Sequence, residues 1–484
     1  MIERSGRIAV SNAIISTCRA HIPIDAPFPC RGPRGILTTD RPGGPLRGMK
    51  AAQHLHAMRA RYAIAFALAI NTSACRRDSG NVTPPRTPPS PAAVLSLPIA
   101  TPLLLAHPSA PTPTQPATAG VWRTSPLGTS LNVNPSAPNA GDPAVAAGAN
   151  GATVVAWREA GRVYARRWSD SAWSALGAGP LNVHTDRDAR TPSVALEADG
   201  RVLVAWREMN SNDQGEIHAA RFASGVWQPL GGSISTPVPG QDVDLPVIAV
   251  GAPGPVLVWR ERLNAGADLQ VRRWDGNAWQ PMGSAPTLFA SAQTTGILSH
   301  AITSAVSGEI VIAAVRRAGP VTSFEVRRWD PVRSAFEALA PPSGPTADGD
   351  SVRIGLAATH ESVYVVASIN PGVSDVMRWT AATRTWASVG LPLTTLSAGG
   401  SVETLRLAAG PSDSVALLWR DSRMRVARFD GTAWSMLVSE LPGEAMQAFA
   451  GAIAVDPTGV HYATWLDRSN DGHQIRAAKV ERGA

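Results

Sequence analysis

The sequence predicts an all-β fold, a seven-bladed β-propeller of four-stranded antiparallel blades. Three observations predict it. An apolar run ending in Trp-Arg-Glu is plain at 155–159, 204–208 and 257–261, and returns in weaker form at 314–317, 366–368, 418–421 and 464–467. Each copy belongs to a unit of about 50 residues with four strand-like pieces, the period and strand number of propeller blades. The last unit stops after its third strand, while an orphan fourth-strand piece, 121–128, stands before the first unit. An N-terminal strand that completes the last blade covers two sheet edges and ties down both ends.

Each strand follows from its residues. In the second unit, 192–196 is strand A, small and β-branched as a strand beside a crowded axis must be, with counterparts at 143–147, 248–250 and 453–455. Asp199-Gly200 turns the chain into strand B at 202–206, an almost unbroken apolar run suited to a strand covered on both faces. A turn at 212–215 leads to strand C at 217–222, and Ser224-Gly225 leads to strand D at 226–230. Strands C and D carry aromatic pairs five residues apart: Trp168 and Trp173, Phe222 and Trp227, Trp274 and Trp279, Phe429 and Trp434. Asp275-Gly276 and Asp430-Gly431 supply tight-turn chemistry within two of these hairpins. Rings so placed are expected to pack between blades as core rather than to serve as ligand platforms.

Outside the repeat the chain changes character. Residues 1–74 hold ten basic and three acidic side chains, which accounts for the whole net charge of +7 and leaves 75–484 formally neutral. A neutral repeat has no Lys/Arg stripe to track phosphates, so no nucleic-acid partner is expected. Residues 58–75 read as an export signal: Arg59 and Arg61, an apolar run from Tyr62 to Ile70 too short to span a bilayer, then Thr72-Ser73-Ala74-Cys75. That ending resembles a bacterial lipoprotein signal, with Cys75 as the lipidated residue and Thr72 where Leu is usual; cleavage after Ala74 without lipidation is the plainer alternative. The expected location is the cell envelope, periplasmic or at the outer-membrane surface, with the membrane met through the lipid alone; a secreted soluble form is the alternative. Residues 1–57 read as an over-extended gene model or a disordered extension. Residues 76–118, with Pro-rich runs at 83–91 and 111–116, form a spacer that cannot pack a core. The propeller is assigned to 119–484. Cys18, Cys30 and Cys75 all precede it, so neither a disulfide nor a thiolate metal site is expected within it.

Copy number separates scaffold from site, because a reaction centre or ligand pocket is asymmetric. Arg158, Arg207 and Arg260, each followed by Glu, would ring the face usually used for ligands. Their repetition favours a scaffold role, an ion-pair and stacking ladder with strand-C arginines such as Arg166, Arg272 and Arg327. The single-copy candidates lie in the loops before strand A: Asp186, Asp188 and Arg190 in one, Asp242 and Asp244 in the next. Loop carboxylates accept sugar hydroxyls or Ca²⁺, and they are also ordinary in solvated loops. The repeat's six histidines show no metal-ligand spacing, so no metal site is assigned and calcium is the one ion the loops suggest. No catalytic residue is assigned either: HExxH, phosphate-loop, G-x-S-x-G and dinucleotide motifs are absent.

Two resemblances cover 119–484. Asp275-Gly276-Asn277-Ala278-Trp279 and Asp430-Gly431-Thr432-Ala433-Trp434 resemble the Asp box, S-x-D-x-G-x-x-W, of sialidase-like propellers, without its Ser and without the residue between Asp and Gly. Arg353-Ile354-Gly355 stands nearest to the sialidase Arg-Ile-Pro signature, so no arginine triad is carried over. Residues 227–231 followed by 246–250 resemble the Trp, Leu-Gly, Pro order of seven-bladed lectins of the Photorhabdus type. These resemblances imply a glycan ligand. The expected function is a non-catalytic binding or scaffold module, monomeric, for a glycan or protein ligand. A glycoside hydrolase or lyase using the loop carboxylates is the alternative.

Overall fold

The computed structural model describes residues 122–482 apart from 137–138, 170, 236–241, 264–265, 284–294, 319–320, 340–351, 370–371, 392–401, 422, 442–447 and 470–471. The export signal, Cys75, the Pro-rich spacer and the 1–57 extension lie outside the described residues.

The described chain is all-β, and its strands fall into four-stranded antiparallel groups. In chain order the first is Ala140–Ala147, Thr153–Glu159, Arg162–Ser169 and Ala172–Ala175; the second is Ala189–Leu196, Val202–Met209, Gly215–Ala223 and Val226–Pro229. The third (Asp242–Gly251 to Trp279–Pro281) and fourth (Thr295–Ser304 to Ala335–Leu339) are joined by one parallel pair, Ala267 with Gly296. The fifth runs from Val352–Ala358 to Thr385–Ser388 with a two-residue side strand at Gly372–Val373, and the sixth from Thr404–Ala409 to Trp434–Val438. The last holds Ala448–Val455, His461–Ser469 and Gly472–Arg482, and its fourth strand is Trp122–Pro126. Trp122 lies opposite Arg482 and Pro126 opposite Ala478, in the sheet that contains Trp465.

Alternation explains the core. The second strand of each group is buried on both faces and mostly apolar, and Val155, Val204, Leu257, Val366 and Leu417 are all fully buried, while the last group's carries buried His461, Thr464 and Asp467. Their side chains feed apolar clusters that each span two consecutive groups. A further cluster joins Trp157 and Val155 of the first group to Ile475 and Ala477 of the last. The first strand of each group packs against the first strand of the next, and Ala448–Val455 packs against Ala140–Ala147.

The aromatic pairs are direct cross-strand partners: Trp168 with Trp173 at 5.3 Å between ring centroids, Phe222 with Trp227 at 5.1 Å, Trp274 with Trp279 at 5.5 Å and Phe429 with Trp434 at 5.3 Å. Trp329 with Phe336 and Trp379 with Trp386 occupy the same register with two more residues in the turn, a spacing the five-residue rule misses. The indole of the fourth-strand Trp reaches the preceding group: Trp227 Nε1 donates to Leu176 O at 2.7 Å, Trp279 Nε1 to Leu230 O at 2.7 Å and Trp434 Nε1 to Val389 O at 3.0 Å. The glycine after each of those carbonyls has positive φ, which explains the recurring Leu-Gly: the chain must turn there beneath an indole.

Candidate functional site

The Trp-Arg-Glu motif belongs to the second strand, whose last residue is Glu159 in the first group and which runs one residue past Glu208 in the second. The ladder therefore turns the glutamate inward with the indole. Glu208 is fully buried and accepts from Trp206 Nε1 at 2.8 Å, from Val183 N at 3.0 Å and from His184 N. Glu159 repeats this with Trp157 Nε1 at 3.0 Å, Val133 N at 2.8 Å and Asn134 N at 2.6 Å. In these two groups the motif glutamate pins the incoming loop to the second strand.

Two of the motif arginines, Arg207 and Arg260, bridge groups. Arg207 donates to Asp242 Oδ1 at 2.8 Å and Val243 O at 2.6 Å. Arg260 forms a bidentate pair with Asp244, both bonds 2.6 Å, and reaches Ile297 O at 3.0 Å in the next group. Arg262 joins the same carboxylate at 2.8 Å. Burial raises the affinity of Asp244 for a proton, but Arg260 and Arg262 outweigh it and hold the carboxyl below its usual range. Arg158 lies 3.4 Å from Asp142. Arg166 and Arg272 stack over Trp157 and Trp259 at 5.9 and 5.5 Å, whereas Arg327 pairs with Glu325 at 2.7 Å.

The single-copy loop acids also meet arginines: Asp188 pairs with Arg190, and exposed Asp186 lies 3.5 Å from Arg187. Arg158, Asp186 and Asp188 share a polar cleft of about 410 Å³. Asp242, Asp244, Arg207 and Arg260 are not among the residues lining that cleft: Arg207 with Asp242 and Arg260 with Ile297 O tie groups together, and Asp244 holds Arg260 within the third group. The Asp-box-like hairpins are turn structures, in which Asp275 Oδ1 accepts from Asn277 N and Ala278 N, and Asp430 Oδ1 from Thr432 N and Ala433 N. Those backbone donors depress both carboxyls.

The larger cavity, about 620 Å³, lies beside the second group and is lined by Trp206, Trp227, His184, His218, Glu216 and Asn210 among others. His218 is buried and stacks on Trp206, with centroids 5.8 Å apart and planes at 27°. Burial is the main cause that lowers its proton affinity, against the pull of Glu208 and Glu216. Glu216 Oε1 accepts from Asn210 Nδ2 at 3.1 Å, which leaves Oε2 facing both imidazoles: 3.2 Å from His218 Nε2 and 3.8 Å from His184 Nε2.

These three residues were not among the sequence candidates, although His184 opens the loop that holds Asp186. The signal lay in the register of the repeat. His218 faces Trp206 across the ladder where Tyr164 faces Trp157 in the first group, and Glu216 faces Glu208 where Arg162 faces Glu159. The backbone of His184 bonds the motif glutamate as that of Asn134 does. Three departures from the repeat thus meet at one point.

No protein-family model matches the chain, and no curated protein matches it. Among solved structures it is similar to a protein of unknown function from Dyadobacter fermentans, with 11% identity over 74% of this chain and 99% of that one and a TM-score of 0.45. A Penicillium chrysogenum α-L-arabinanase gives 12% identity, 75% and 97% coverage and a TM-score of 0.38. The Aleuria aurantia fucose-specific lectin gives 13% identity, 60% and 96% coverage and a TM-score of 0.39. At this distance the functional reading rests on the site's own residues.

Proposed function

We propose that this chain is an exported, closed seven-bladed β-propeller that binds a glycan non-catalytically in the cavity beside its second blade. The observation that carries the ligand class is the lining of that cavity. The partly exposed ring of Trp227 forms apolar wall, with Trp206 buried behind His218, and Asn210, Asn212, His184 and Glu216 supply polar rim. A pyranose has the same duality, with apolar C–H faces and hydroxyl edges. The ring reading is supported by the apolar clusters that join each group to the next and the last to the first, and by indole bonds at four of those junctions, one of them between the first group and the last.

The binding role is favoured over hydrolysis because Asp188, Asp242 and Asp244 each face an arginine, and Asp244 is held ionised where a general acid needs its proton. The cleft with Arg158, Asp186 and Asp188 continues the 181–188 loop and is proposed to extend the ligand surface. Export, and tethering through a lipid on Cys75, rest on the leader sequence. A single chain is proposed as the unit that binds.

A glycan array probed with residues 76–484 tests this. Binding to a subset of glycans, lost when exposed Asn212 and half-exposed His184 are both changed to Ala, is the expected result. A silent array, with no sugar detected by calorimetry, overturns the glycan reading. Turnover of a fluorogenic glycoside panel overturns the non-catalytic one.

A further inference from the structure

We infer that His184, Glu216 and His218 form a site for a divalent transition-metal ion of the zinc class in the wall of the larger cavity. Among the described residues they are the trio of His, Cys, Asp or Glu side chains whose ligand atoms all lie within 4.8 Å of one another. Two imidazole nitrogens and one carboxylate oxygen are a ligand set that zinc takes, with the fourth position left for water or a ligand oxygen. The spacings of Glu216 Oε2 from the two Nε2 atoms, 3.2 and 3.8 Å, match the roughly 3.3 Å between neighbouring ligands around a tetrahedral ion with bonds of about 2 Å.

A second observation points the same way. His218 is 4% exposed, and its buried Nε2 has no hydrogen-bond partner even though Glu216 Oε2 is close. A buried imidazole nitrogen held 3.2 Å from a carboxylate oxygen without an aligned hydrogen bond is a geometry that a shared metal ion explains. The surroundings are built for ligation. Asn210 orients the carboxylate through its other oxygen, Trp206 fixes the plane of the His218 ring, and Glu208 holds both that indole and the backbone of His184. The first group keeps the equivalent of Glu208 and places Asn134, Arg162 and Tyr164 around it, so the scaffold does not require the two histidines and the acid.

This inference shares His184 and Glu216 with the proposed glycan rim, so its test uses metal alone. Chelator-treated protein, residues 76–484, is titrated with Co²⁺ and followed by visible absorption, then challenged with Zn²⁺. One equivalent with tetrahedral ligand-field bands, displaced by Zn²⁺, is expected. His184→Ala and Glu216→Gln should each weaken it at least ~100-fold, with metal-free unfolding midpoints unchanged. X-ray absorption of the Zn²⁺-loaded parent, showing two imidazole nitrogens among light-atom ligands, tests the site without any variant. Absence of the bound equivalent, its persistence in both variants, or a zinc shell without two imidazoles overturns the assignment. Glycan binding that survives metal removal leaves the proposed function intact, and metal binding without glycan binding leaves this site intact.

Discussion

Trp173 Nε1 donates to the carbonyl oxygen of Leu127 at 2.7 Å, and Leu127 N donates to Ala477 O at 2.9 Å. One residue after the N-terminal strand thus joins the first strand group to the last. The bond is the same one that Trp227 makes to Leu176 and Trp279 to Leu230, so the chain's beginning is treated as an ordinary fourth strand. Trp173→Phe keeps an aromatic ring and loses the donor, with an expected cost of about 1–2 kcal/mol in denaturant unfolding. A chain lacking residues 1–128 loses Trp122–Pro126 and Leu127 together and bares the edge of Gly472–Arg482. It should unfold at markedly lower denaturant than a chain starting at 119, and self-associate on a sizing column. A truncated chain as stable and monodisperse as the longer one would contradict the latch.

The glycine of the Leu-Gly pair gives a controlled comparison. Gly177 and Gly225 have similar positive φ, 89° and 84°, so an added Cβ strains both. At Gly225 that Cβ meets nothing within 4 Å, whereas at Gly177 it comes within 2.8 and 2.9 Å of the Trp227 indole, which is itself tied to Leu176 O. Gly225→Ala should cost about 1 kcal/mol, and Gly177→Ala about 1–3 kcal/mol beyond that from overpacking. Equal losses in paired urea titrations would show that the indole yields freely.

Glu208 is the position where scaffold and cavity meet. In Glu208→Gln an amide nitrogen replaces one acceptor oxygen and turns its N–H bonds either toward His184 N, which donates to Oε1, or toward Trp206 Nε1 and Val183 N, which donate to Oε2. The expected loss is about 2–4 kcal/mol. Glu159→Gln breaks the same arrangement around Trp157 and should cost a similar amount. The two differ in ligand affinity: the Glu208 variant should bind Co²⁺ and glycan more weakly, and the Glu159 variant should bind both as the parent does. Equal binding by both variants would make Glu208 a scaffold residue only.

The strands were legible because their signals are local and repeated. Trp168 and Trp173 are five apart since a tight hairpin fixes that register, and Val202–Met209 is apolar since both its faces are covered. Even the displaced strand at Trp122–Pro126 could be read, because Val121-Trp122 copies Val226-Trp227. The inward turn of Glu159 and Glu208 was harder to read: a charged residue after Trp-Arg suggests a turn until the ladder is seen to include it. The trio of His184, Glu216 and His218 was harder still. Its members come from a loop and a strand some thirty residues apart, with no spacing that marks ligands in sequence. Only the registers Trp206 with His218 and Glu208 with Glu216 bring them together.

Buried histidines make stability acid-sensitive above the carboxylate range. His300 is fully enclosed beside Arg260, and burial followed by that charge lowers its proton affinity to a pKa of about 4. His461, packed edge-on against Trp122 with centroids 5.5 Å apart, is lowered to about 4 by burial and then by Arg428. In the unfolded chain each imidazole takes up its proton near pH 6.5. Between those values the unfolded state binds more protons, so lowering the pH draws the equilibrium toward it. The contribution is whole above about pH 6.5 and is lost as the pH falls to about 4, by up to roughly 3 kcal/mol for each histidine. Asp244, Asp275 and Asp430 are depressed below the usual carboxylate value of 3.8, so the stability they lend is lost only at lower pH still. Unfolding free energy measured by urea from pH 7 to pH 4 should therefore fall before these carboxylates titrate. His461→Gln should remove one histidine's share of that fall, leaving those of His300 and His218, whatever its effect at pH 7. An unchanged slope in the variant would show that His461 is protonated in the folded protein or shielded in the unfolded one.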